Sequence, residues 1–143
     1  MTTDTTLTAE QRARLSVSLS VLLPRTDAIA HEFCAIVEHA NPTLRLHMPG
    51  NEQIIREGIE HMLGSVCDDD QSEQIARHFA QLGSQAGITE SDLPVLLASI
   101  QTAIAETAGY TWTDALEDDW TQWFDQFTSW AIQGASLGES QAA

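Results

Sequence analysis

The sequence predicts an all-α domain, and three observations carry that expectation. Apolar residues recur every three or four positions along most of the chain, and no run alternates in the manner of a half-buried strand. The breaks between these stretches coincide with Pro, Gly, Asn and Asp, the residues that cap or stop helices. At 143 residues the chain is expected to form one domain, 1–143, with 1–7 and 135–143 frayed.

A first helix starts at Thr8, where Gln11 three residues on completes a capping box. It carries Leu15, Leu19 and Leu22 inward and ends at Pro24. The second runs from about Thr26 to Ala40 with Ile29, Phe33, Ile36 and Val37 on one face. Asn41 caps a short third helix that has Pro42 in its first position, where a missing N–H does no harm, and that Pro49-Gly50 closes.

The fourth, Asn51 to Val66, places Ile55, Ile59, Met62 and Val66 together. Gly58 in its middle costs about 1 kcal/mol relative to Ala, which is offset if two backbones approach closely there. "CDDDQS" puts aspartates at the positive start of a fifth helix, which runs to about Gly83 and buries Ile75, Phe79 and Leu82. Gly87 suits a left-handed hinge, and Thr89 with Asp92 forms a second capping box. The sixth helix carries Leu93, Leu97, Ile100 and Ile104 to about Thr107. After "AGYTWT" the seventh runs from Thr113 to about Gly134 with the strongest stripe: Leu116, Trp120, Trp123, Phe124, Phe127 and Ala131.

Charge excludes whole classes of function. Twenty-one acidic residues face six arginines and no lysine, giving a net charge of −15. Such a surface repels phosphate backbones and anionic lipid, so neither nucleic acid nor a membrane is an expected partner. It serves solubility, or presents a negative face to a basic partner. No apolar run approaches the ~18–20 residues of a membrane span, and "MTTDTTLTAEQRARL" lacks the basic start and apolar centre of a signal peptide, so the cytoplasm is the expected compartment. Cys34 and Cys67 are too few for a disulfide framework and are expected to be buried thiols. A glycine-rich phosphate loop, Cys-x-x-Cys and His-Glu-x-x-His are all missing, and nothing near Asp68, Asp69 and Asp70 completes a calcium shell.

Three stretches, "FCAIVEHANPTLRLHMPG", "AGITESDLPVLLASIQTAI" and "TWTDALEDDWTQWFDQFTSWAI", together resemble globins. The nearest likeness is to bacterial single-domain haemoglobins and the globin portion of flavohaemoglobins, over about Leu15 to Ile132. The resemblance implies seven or so helices around a central pocket, a haem, and O2 or NO handling. Any flavin or nicotinamide chemistry would need a separate partner.

Set against the resemblance, the pocket positions have changed. The iron-binding histidine lies five residues before the hydrophobic residue of the hinge, here Ile88, and that position is Gly83; pairing the Leu-Gly motifs instead brings Ala86 there. The aromatic ring that wedges haem aligns with Met48, and the tyrosine that donates to bound oxygen aligns with Cys34. The distal polar position falls at Asn51 or Gln53. Ile55 and Phe79 complete the pocket lining that the resemblance implies.

Among possible replacements, His78 lies on the right helix but five residues before Gly83, which at about 100° per residue turns it roughly 140° from the required face. It is the candidate metal ligand all the same. His31, His39 and His61 point off the apolar faces, whereas His47 sits at a corner within reach of a pocket edge. Met48 and Met62 offer thioethers, and Arg45, Arg56 and Arg77 are the candidate partners for haem propionates.

Two readings follow. In the first-ranked one the chain is a haem-free sensory or interaction module that takes a small apolar ligand or a protein partner and binds no other cofactor. In the other it binds haem and a gas through an unusual ligand such as His78, with gas-handling activity in consequence. "WTQWFDQFTSW" has aromatics on more than one side, which allows a homodimer contact.

Overall fold

The computed structural model describes residues 7–142, with side chains through Ala135. Seven α-helices and no strand occur among the described residues: α1 (Ala9–Leu22), α2 (Thr26–Ala40), α3 (Pro42–Leu46), α4 (Glu52–Gly64), α5 (Asp69–Gln85), α6 (Leu93–Ala108) and α7 (Asp114–Ala142). Short 3₁₀ turns lead into α2, α6 and α7.

The ends are set by the local chemistry that the sequence announces. Thr8 Oγ1 accepts from Gln11 N at 3.1 Å while Gln11 Oε1 accepts from Thr8 N at 2.8 Å, so the first capping box is complete. Asn41 caps α3 through Leu44 N, and Asn51 caps α4 through Gln53 N. Helix α3 is shorter than expected, ending at Leu46 before the Pro49-Gly50 pair. Thr89 and Asp92 form the second box, on a 3₁₀ turn that delivers Pro94 to the start of α6. Gly87 has φ +93°, a left-handed conformation that only glycine adopts cheaply. Helix α7 continues to Ala142, past the Gly134 stop read from sequence. Of the expected fraying at 1–7 and 135–143, residues 1–6 and 143 lie outside the described residues, whereas Leu7 is buried and the backbone of 135–142 is helical.

The most extensive packing joins α5 to α7, followed by α2 to α6 and α2 to α4. Ile29, Phe33 and Val37 of α2 meet Leu97, Ile100 and Ile104 of α6 in one continuous core, which α7 enters with Trp120, Trp123, Phe124 and Phe127. Helix α1 is tied to α7 by Arg14, whose guanidinium donates to both oxygens of buried Asp119 at 2.6 and 3.0 Å. A buried carboxylate without a cation would be costly, so this pair fixes where α1 lies.

Three expectations need correction. Leu82 is 53% exposed, and the buried face of α5 is Ser72, Ala76 and Ala80, with Ile75 and Phe79 only half-buried. The cause is a close approach: a Cβ on Gly134 of α7 would stand 2.9 Å from Arg77 Cα, so large residues cannot occupy that seam. Gly58 is exposed and an added Cβ there would meet nothing, so the close approach belongs to Gly134. Cys67 is exposed on the turn after α4, not buried; Cys34 is buried as expected.

Candidate functional site

The helix that should carry the iron ligand is held at both ends. At its start, Ser72 Oγ donates to Ser65 O at 2.6 Å and Arg12 of α1 reaches Asp69 at 2.9 Å and Cys67 O at 3.3 Å. At its end, His47 Nδ1 lies 3.1 Å from Ala86 O, and its ring covers Gly87, where a Cβ would come within 3.1 Å of the same nitrogen. The corner after α3 is thereby bolted to the α5–α6 hinge. Between these ends α5 rests on α7, and Phe79 reaches Phe127 with ring centroids 6.4 Å apart. Phe127 continues into Trp123 at 5.0 Å, and Trp123 into Trp120 at 5.8 Å. An aromatic file thus extends from α7 to the inner side of α5.

The residues marked from sequence fall into two groups. Cys34 and Ile55 are buried, and Met48 and Phe79 are half-buried against the same core. Gly83 is half-buried too, but a Cβ there would abut the Ile88 side chain at 3.4 Å, so that position faces its own hinge. Asn51 and Gln53 are exposed: Asn51 Oδ1 accepts from Gln53 N at 2.9 Å, and the Gln53 side chain lies along the surface of α4 near Arg56 and Glu57.

All five histidines are exposed. His78 stands on the outer side of α5, His31 lies 3.3 Å from Glu52, and His47 is engaged at the hinge. The three arginines marked for propionates have local partners: Arg45 donates to Pro49 O at 3.0 Å, Arg56 to Glu60 at 3.0 Å and Arg77 to Glu73 at 2.6 Å.

A haem held in the manner of globins needs a neutral imidazole nitrogen pointing inward. The residues present do not fit that requirement, since every imidazole of the chain lies on the surface. Of the buried side chains, Cys34 has the most reactive atom, yet burial pushes its thiol up, with Arg45 opposing, so it is held as neutral S–H, a poor metal ligand. Among the described residues no three of His, Cys, Asp and Glu gather as a metal site.

Sequence reasoning missed two features of this region. Asp119 occupies a core position in the α7 stripe, three residues after Leu116 and four before Trp123, and a buried acid there signals a cation partner. The His47 contact with the hinge left only the adjacent Gly87 as a clue. Trp120 and Trp123 add a further oddity: their buried indole N–H groups have no hydrogen-bond partner among the described residues.

No family model matches the sequence, and no curated protein matches it significantly. Solved structures do match, among them an engineered carbene transferase, described as a putative nitric oxide dioxygenase from Rhodothermus marinus, with a TM-score of 0.79. The alignment covers 96% of this chain and 100% of that one. The chain has the globin fold. At 17% identity the likeness speaks for the fold alone. The globin resemblance read from sequence is supported, and seven α-helices agree with the number expected. No helix among the described residues is long and apolar enough to cross a membrane.

Proposed function

We propose that this globin-fold chain works without haem, as a sensory or interaction module. One observation carries the reading: none of the five histidines faces the interior. The aromatic file from Trp120 to Phe79 supports it, because side chains already occupy the inner side of the helix where an iron ligand would stand. Fold alone does not bring gas chemistry with it. On this reading the all-α body takes a small apolar ligand beside Cys34, Met48 and Ile55, or a protein partner at its surface. The cytoplasm is its proposed compartment; no helix among the described residues is long and apolar enough to cross a membrane.

A second reading retains haem, O2 or NO binding and a ligand such as His78. It draws on the structural likeness, over its full length, to a chain described as a nitric oxide dioxygenase. To seat His78 inward, α5 would have to turn by roughly 140°, which would bring its buried Ser72, Ala76 and Ala80 out of the core.

Haemin titration separates the two. The haem-free reading expects weak, non-saturating binding and no sharp band at the border of the visible and ultraviolet. A tight one-to-one complex that His78→Ala abolishes would establish the second reading instead.

A further inference from the structure

Helices α6 and α7 leave a groove on the outside of the molecule. Its volume is about 510 Å³, and Pro94, Leu97, Ala98, Phe124 and Ile132 form its apolar part. Gln101, Asp125, Thr128, Ser129 and Gln133 form a polar margin. Leu97 and Phe124 are its buried floor, and exposed Val95 flanks it. Gln101 donates to Thr121 Oγ1 at 2.8 Å and closes one end.

The one charged side chain on the groove lining is acidic. Beyond His78 the chain holds nine acidic residues and no Arg, Lys or His. Asp125 is on the margin itself. Asp118 lies seven residues before it and so on the same side of α7, while Glu90 lies four residues before Pro94 at the other end. All six arginines are on α1, α2's approach, α3, α4 and α5.

We propose that the α6–α7 groove is the docking site for a basic amphipathic helix of a partner protein. An apolar floor with a charged margin is the anatomy that receives such a helix. The lining runs from Pro94 to Gln101 on α6 and from Phe124 to Gln133 on α7, a seat about 10–14 Å long that takes roughly two turns of a helix. A second copy of this chain is the wrong occupant, because it would bring another body of net charge −15 against Asp125. Anionic lipid and nucleic acid are repelled for the same reason. The proposal rests on the interaction-module reading and locates its partner.

The test uses the full chain and a fluorescent helical peptide of about 14 residues, with leucines on one face and arginines on the other. Its control is a scrambled peptide of equal composition. The amphipathic peptide binds in the micromolar range, and Ala98→Trp, which fills the groove at an exposed position, weakens it by about tenfold or more. Asp125→Lys weakens it similarly, whereas Glu57→Lys, an equal charge change on α4, changes binding by less than about twofold. Circular dichroism confirms that each variant is folded.

Equal affinity for the scrambled peptide, or equal effects of Asp125→Lys and Glu57→Lys, would reduce the interaction to net charge and overturn the proposal. So would a homodimer in sedimentation that Ala98→Trp dissolves, which would make a second copy the occupant. Haemin uptake is read separately: haem bound tightly with peptide binding intact defeats only the haem-free reading, and lost peptide binding with haem still refused defeats only the groove.

Discussion

Helices α5 and α7 share the most extensive contact in the molecule, yet they enter it with opposite kinds of side chain. Helix α7 fills space: Trp120, Trp123, Phe124 and Phe127 are all buried. Helix α5 gives space up: its buried residues are the small Ser72, Ala76 and Ala80, and Gly134 of α7 comes close to its backbone at Arg77. A large apolar residue marks a place where volume must be filled, whereas a row of small ones marks a place where backbones come close. The two patterns have different failure modes under mutation.

Removing volume from the α7 side should have the largest effect. Trp120→Ala leaves a cavity among rings that cannot close up, at a cost of about 3–5 kcal/mol. Denaturant unfolding of the variant reads this directly as a lower midpoint. Trp120→Phe sharpens the point, because it keeps most of the ring and discards an indole N–H that has no partner. It should recover much of the loss. A Trp120→Ala variant as stable as the parent would mean that the file of rings is not what fills the interior.

Adding volume to the α5 side is the converse test, with an intermediate effect. Ala76 is fully buried, and Ala76→Leu forces α5 away from α7 at about 1–3 kcal/mol. On the same helix Leu82→Gln should stay within about 0.5 kcal/mol, since that leucine is on the surface. If Leu82→Gln were the more damaging of the two, the face of α5 described above would be the wrong one, and the face expected from sequence would be right. His78 would then turn toward a different environment, so the pair also bears on the ligand question.

The contrast explains what could be read in the sequence. Helices bounded by Thr8, Pro42, Asp92 and Gly87 were legible because capping and stopping are local chemistry between neighbours in the chain. The α7 stripe was legible because large apolar residues at helical spacing announce burial. Helix α5 misled because its apolar period, Ile75, Phe79 and Leu82, competes with a small-residue period whose meaning depends on a glycine more than fifty positions away. Gly58 misled for the same reason, as nothing local distinguishes a glycine under a crossing helix from one on a surface. Of the site, the position at which to look for an imidazole came from the globin resemblance, and Gly83 stands there. The Arg14–Asp119 tie and the His47 bolt were not, being pairs that only the fold brings together.

The smallest effect is expected where neither volume nor close approach is at stake, on the edge between α2 and α6. Glu32 and Glu106 face each other there, and the neighbouring Glu32 carboxyl, as a hydrogen-bonding partner first and a like charge second, and then slight burial raise the Glu106 carboxyl above its ordinary 4.5. For a group whose folded pKa is raised, the stabilising contribution is complete below the ordinary value and is lost as pH rises through the raised one. The native chain therefore carries a repulsion at neutral pH that acid relieves. Glu106→Gln should be slightly more stable than the parent at about pH 7, with the gain reduced by salt because the pair is open to solvent. The gain should shrink as pH falls and vanish below 4.5. Unfolding curves at about pH 7 and about pH 4 suffice. An advantage that persists unchanged in acid would trace to helix propensity and not to charge, and would remove this edge as an electrostatic control on the α5–α7 comparison.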